Sequence, residues 1–326
     1  MAVLVCGGAG YIGSHTVYQL VKAGENVVII DNLQTGHRSA INKAAKFYEG
    51  DIRNAAILEK IFTENKIEAV IHFAANSLVG ESVQNPLKYF NNNVYGMQIL
   101  LESMVKFGAD KIVFSSSAAT YGEPEKIPIE ENDRTAPSNP YGESKLIMEK
   151  MIKWVKNLRY VSLRYFNAAG AILSGEIGED HSPETHLIPL ILQVPLKKRN
   201  HITIFGNDYP TRDGTCIRDY IHVSDLADAH ISALQYLREG GESNIFNLGN
   251  GQGFSVKEII AAAEKVTGQK IKTEIGARRA GDPAQLIASA DKAKKILHWT
   301  PQFTSVEKII ETAWNWYKKN PDGYKD

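Results

Sequence analysis

Short apolar runs, each ending in glycine, a carboxylate or hydroxyls, recur along the first half of the chain. Val3-Leu4-Val5-Cys6 enters Gly7-Gly8-Ala9-Gly10-Tyr11-Ile12-Gly13, and Val27-Val28-Ile29-Ile30 stops at Asp31. Lys46-Phe47-Tyr48-Glu49 stops at Gly50-Asp51, and Ala69 to Phe73, Lys111 to Phe114 and Tyr160 to Tyr165 repeat the pattern. Segments with helical character lie between them, the first predicted to run to about Ala23 and close at Gly24. Continuous apolar strands alternating with helices predict a parallel sheet covered on both faces. In such sheets ligands bind beyond the carboxyl ends of the strands. Gly7 to Gly13, Asp31, Asp51, His72 to Ser77, Ser115 to Ser117 and Tyr165 to Asn167 all stand at such ends.

After about Asn167 the texture changes to loops rich in glycine and proline, and the segment from Cys216 to about Leu248 reads as a return to the sheet. The expected organisation is a Rossmann-type α/β unit, a doubly wound parallel sheet over residues 1–167 with a return segment at 216–248. Residues 168–326 form mainly a smaller C-terminal lobe for substrate.

Charge and cysteine content narrow the classes of function. Lys plus Arg and Asp plus Glu both number 37, so there is no electrostatic footprint for nucleic acid or an anionic membrane. No apolar stretch approaches the ~18 residues of a membrane span. The two cysteines, Cys6 and Cys216, make no disulfide framework, and nothing at the amino terminus reads as a signal peptide. A cytoplasmic protein is expected.

The chemistry lies in two motifs. Gly7-x-x-Gly10-x-x-Gly13, after a strand and opening a helix, is a pyrophosphate cradle: the glycines permit close backbone approach and the helix start offers free N–H groups. Asp31 at the next strand end suits a ribose hydroxyl and repels a 2′-phosphate, which favours NAD over NADP. Asp51 is placed beside the adenine. Tyr141 and Lys145 stand four apart, so phenol and ammonium share a helix face, and the ammonium is expected to lower the phenol's pKa. That makes Tyr141 a candidate base. Ser117 is its candidate partner, although a strand-end serine also caps turns.

With these motifs in place, the chain resembles the extended short-chain dehydrogenase/reductases and, among them, the UDP-sugar 4-epimerase family. GGAGYIGSH, HFAA, VGESV, NNNVYG, FSSSAATYG, NPYGESK, LRYFNAAGA, IGED, NDYPTRDGTCIRDYIHVSDLADAH, NLGNG and RRAGDPA carry the likeness nearly end to end. The resemblance implies interconversion of UDP-galactose and UDP-glucose through a 4-keto sugar, with Ser117, Tyr141 and Lys145 catalytic and NAD retained. It extends the cofactor set to Tyr11, Ile12, Asn32, Ile52, Phe73, Ala74, Asn92, Ser115 and Tyr165. It places Phe166, Asn167, Leu187, Phe205, Arg218, Arg279, Asp282 and Leu286 on the UDP-sugar, and implies a homodimer through residues 91–106 and 141–155.

The chain departs from the family pattern in places. Ser77 stands where a lysine often reaches the NAD phosphates, so weaker cofactor retention is expected. His186-Leu187 replaces a pair of amides, and Leu286 stands at the gate beside the sugar's 2-substituent, intermediate in size. Ala118-Ala119 occupy the positions where 4,6-dehydratases carry an Asp-Glu pair, which argues against dehydration. A non-catalytic NAD-binding protein would be expected to lose Tyr141 or Lys145. Asp180, His181, Glu184 and His186 have no recognised ligand spacing, and no metal is expected there.

Overall fold

The structure is a computed structural model of the chain and describes residues 1–279 and 282–326. The first strands and helices are β1 (Ala2–Cys6), α1 (Tyr11–Lys22), β2 (Val27–Asp31), β3 (Lys46–Glu49), α2 (Ala55–Glu64) and β4 (Ile67–His72). Next come α3 (Val79–Gln84), α4 (Pro86–Tyr89), α5 (Gly96–Phe107), β5 (Lys111–Ser115), α6 (Pro140–Trp154), β6 (Arg159–Arg164) and β7 (Asn167–Ala169). Then follow α7 (Leu187–Leu192), β8 (Ile202–Phe205), β9 (Ile217–Arg218), β10 (Tyr220–His222), α8 (Val223–Arg238) and β11 (Asn244–Asn247). The chain finishes with β12 (Phe254–Ser255), α9 (Val256–Thr267), β13 (Thr273–Gly276), β14 (Gln285–Leu286), α10 (Asp291–Ile296) and α11 (Val306–Lys319).

Seven parallel strands make the main sheet in the order β11-β6-β5-β4-β1-β2-β3. All five residues of β1 are buried because both faces are covered. Val3 and Val5 face a core under α1 and α8; Ala2, Leu4 and Cys6 face a second core under α2, α5 and α6. The chain order reverses between β1 and its neighbours β2 and β4, so the turn after β1 opens at the switch point where such sheets bind ligands.

A third core, built from α7, α9, α11 and β8, belongs to the smaller lobe. There α9 is started by a reciprocal capping box, Ser255 with Glu258, and ended by Gly268 at φ +69. Of the segment expected to return to the sheet, α8 and β11 join the Rossmann unit. By contrast β9 pairs with β12 and β14, and β10 pairs with β7, outside the main sheet.

Candidate active site

The turn after β1 is shaped by contacts that leave no room for side chains. Gly7 sits at φ +81 with the backbone of Ala74 only 2.7 Å from where a Cβ would be. A Cβ on Gly13 would lie 2.0 Å from the Gly7 carbonyl. Gly10 caps α1 without a side chain, so Tyr11, Ile12 and Gly13 open the helix with unobstructed N–H groups. Asp31 is buried beside this turn. Its carboxylate accepts from Ala9 N at 3.0 Å and from Leu33 N at 2.8 Å. Burial pushes its pKa up, and the backbone donors hold it back.

Asn32 donates to Asp51 at 3.1 Å, and Arg53 grips Asp51 at 2.8 and 2.6 Å, holding that carboxyl down at about 2. Ile52 is buried next to them. Phe73 and Ala74 continue β4 by donating to the Cys6 carbonyl, at 2.8 and 3.0 Å. Cradle, carboxylates and apolar wall together fit a dinucleotide.

The catalytic candidates sit just beyond β5 and on α6. Asn139 caps α6 by accepting from Gly142 N at 2.9 Å, and Pro140 fills the first helical position. This start puts Tyr141 and Lys145 one turn apart, facing the end of β5. Ser117 stands beside the Tyr141 phenol, while its Oγ accepts from Ala119 N at 3.1 Å. Ser117 therefore caps the turn and stands next to the phenol.

The expected influence of Lys145 on the phenol is not realised. Burial pushes the Tyr141 pKa up, and only neighbouring Ser117 pulls it back. Lys145 donates to the Ser115 carbonyl at 2.7 Å, and its Nζ lies 6.0 Å from the Tyr141 ring centre. Burial lowers the lysine itself to about 7, against the pull of Glu149. Ser115 hydrogen-bonds Tyr165, whose phenol is also raised by burial.

The substrate candidates form two groups. Phe166 and Leu286 pack against Ala118, Tyr121 and Ile129, next to the catalytic segment. Arg218 pairs with Asp282, and the Arg279 guanidinium lies 4.1 Å from the centre of the Phe205 ring. Arg218 does not pair with its sequence neighbour Asp219, which is buried and accepts from Asn250, Gly251 and Ala288. Burial pushes Asp219 up to about 6. Asn167 Nδ2 donates to the Asp219 carbonyl at 3.0 Å, and Leu187 opens α7. Ala280 and Gly281, within the RRAGDPA stretch, lie outside the described residues.

Asn92, placed in the cofactor set above, stands among supporting residues, of which Asn93 and Arg164 escape a reading of the sequence. Asn92 stands in a π-helical turn, Phe90–Tyr95, and donates to Asn93 at 3.1 Å. Such turns often mark functional sites. Buried Asn93 bonds Asn76 and Ser144, tying the loop after β4 to the helix of Tyr141. Glu149 and Arg164 form a buried bidentate pair, with Ser116 donating to Glu149 at 2.5 Å. Glu149 falls four residues after Lys145, a spacing visible in the sequence; Arg164 is placed by the sheet alone.

The four residues without metal-ligand spacing do not stay together in the fold. Asp180 turns away: its carboxylate accepts from Tyr324 N at 2.8 Å, and His37 Nε2 lies 3.2 Å from its carbonyl. Glu179, His181, Glu184 and His186 instead bring their ligating atoms within 4.8 Å of one another. On an irregular loop side-chain direction is set by tertiary packing, so periodicity carried no signal.

Comparison with known proteins adds to this geometry. Residues 3–249 match the NAD dependent epimerase/dehydratase family. A UDP-glucose 4-epimerase of Halalkalibacterium halodurans is 59% identical over 99% of this chain and 98% of its own. A crystal structure of a UDP-glucose 4-epimerase superposes with a TM-score of 0.99 at 58% identity, covering all of both chains. A UDP-glucose 4-epimerase from Bifidobacterium longum, solved with NAD+ and UDP, gives 0.94 at 40% identity over 99% of this chain and 100% of its own. The chain belongs to the NAD-dependent epimerase/dehydratase family.

Proposed function

We propose that this chain interconverts UDP-galactose and UDP-glucose at carbon 4, using a retained NAD. The supporting observation is the grouping of Ser117 beside Tyr141, with Lys145 one turn on, next to a glycine cradle that closes when a Cβ is added. When bound, NAD supplies a hydride acceptor for carbon 4 and a positive charge that favours the Tyr141 phenolate. Tyr141 Oη takes the proton of the 4-hydroxyl and returns it to the ketone oxygen after the sugar has turned. Ser117 Oγ steadies that oxygen and passes the proton between sugar and phenol. Lys145 holds the end of β5 against α6 and contributes charge when protonated.

Among the UDP candidates, Arg218 is held by Asp282 and Arg279 lies against Phe205, an arrangement suited to a diphosphate and a flat base. Release of Arg218 toward phosphate costs its pair with Asp282, which then becomes free for a ribose hydroxyl. Homodimerisation through α5 and α6 is part of the proposal. Val105 and Trp154, on those helices, are 63% and 83% exposed. Sedimentation equilibrium that returned a monomer would remove this part. No described helix is long and apolar enough to cross a membrane, consistent with the proposed cytoplasmic location.

The test is proton NMR of the anomeric signals after UDP-galactose is mixed with purified protein and no added cofactor. Growth of UDP-glucose toward a fixed ratio is expected. No change, even with NAD supplied, sinks the reading. Tyr141→Phe should retain NAD and lose about 10²–10⁴ in turnover, the usual reach of a positioned acid–base group.

A further inference from the structure

The loop between β7 and α7 carries side chains that the reaction above does not use. Glu179 Oε1 lies 3.5 Å from His181 Nδ1, and His181 Nδ1 lies 3.5 Å from Glu184 Oε2. His186 Nδ1 meets the same Glu179 oxygen. All four ligating atoms fall within 4.8 Å of one another. Donors about 2.0–2.2 Å from a tetrahedral zinc ion stand roughly 3.4 Å apart, close to the two longer separations here.

The loop is held in this shape from behind. Glu179 is 3% exposed, and its carbonyl accepts from Tyr317 Oη at 2.9 Å. Gly178 donates to Tyr324 Oη at 2.9 Å and has no room for a Cβ against Trp316. One oxygen of Glu184 is fixed by Thr185 N at 2.7 Å and His186 N at 2.8 Å, which leaves the other facing His181. Fixing the rear of a carboxylate so that its front is aimed is what a ligand needs from its surroundings.

We propose that Glu179, His181, Glu184 and His186 form a binding site for one divalent transition-metal ion, with zinc the ion of choice. Two nitrogen and two oxygen donors suit zinc and disfavour magnesium or calcium, which take oxygen ligands. Bound metal staples the loop to α11, and through the His181 ring, edge-on to Tyr11, to the start of α1.

The experiment uses the full chain, treated with chelator, dialysed and titrated with zinc chloride against a chromophoric competitor. Metal content per chain is measured by mass spectrometry, and melting is followed by calorimetry. One zinc per chain and a melting temperature raised by zinc but not by magnesium are expected. His181→Asn and Glu184→Gln should each weaken zinc at least tenfold and remove the rise in melting temperature. His201→Asn, paired with Glu274 on another element, should change neither. Absence of uptake at one equivalent, or equal uptake by the His181→Asn/Glu184→Gln double variant, overturns the site. Metal content and melting are read without turnover, so the result stands apart from the proposed epimerisation.

Discussion

Tyr141, Lys145 and Glu149 lie on one face of α6, each four residues after the last, and Glu149 decides how firmly that face is held. Its carboxylate accepts from Arg164 Nε at 2.9 Å, Arg164 Nη2 at 2.6 Å and Ser116 Oγ at 2.5 Å. The two charged side chains are 5% and 4% exposed, and the guanidinium stands 4.8 Å over the Tyr121 ring. Glu149→Gln keeps the shape but leaves a guanidinium buried without its counter-charge. Removing one partner of such a pair costs about 3–5 kcal/mol, whereas replacing both by apolar residues is often neutral. For 326 residues, an unfolding entropy of roughly 2.1 cal/mol/K per residue turns that cost into a melting drop of roughly 4–7 °C. Glu149→Met/Arg164→Met should recover much of it.

The same substitution has a catalytic consequence. Burial lowers Lys145 to about 7 and Glu149 opposes that fall. Without Glu149 the lysine loses its proton at lower pH, so the alkaline limb of the rate profile should move toward acid. Calorimetry and the pH–rate profile of the three proteins measure both effects. Melting of Glu149→Gln within about 1 °C of the parent would refute the reasoning, because it would mean that water reaches the pair. An unmoved alkaline limb would show that the carboxylate does not act on Lys145.

The remaining predictions concern cofactor and substrate. Gly13→Ala should destabilise by about 1–3 kcal/mol although alanine is the better helix former, because its Cβ would meet the Gly7 carbonyl at 2.0 Å. Urea unfolding and NAD content check this; a more stable variant with full NAD contradicts it. Leu286, packed with Phe166 beside the catalytic segment, should permit measurable but lesser turnover of UDP-N-acetylgalactosamine, and Leu286→Tyr should abolish it while sparing UDP-galactose. A parent inactive on the N-acetyl sugar but active on UDP-galactose would show that Leu286 does not open the pocket.

Local patterning was sufficient for the apolar strands, the glycine turn with its helix, Asp31 at a strand end and the shared face of Tyr141 and Lys145. Each depends on residues a few positions apart, where the period of a strand or helix and the steric demand of a turn fix direction. The pairings that finish the site span long separations. Arg218 finds Asp282 rather than adjacent Asp219, Tyr121 reaches Asn247, and Arg164 meets Glu149 because β6 lies beside β5 under α6. Burial, too, is a property of the assembled fold: it raises the Tyr141 phenol where the sequence spacing predicted a lowering. The convergence of Glu179, His181, Glu184 and His186 has the same origin, since an irregular loop takes its side-chain directions from what packs behind it.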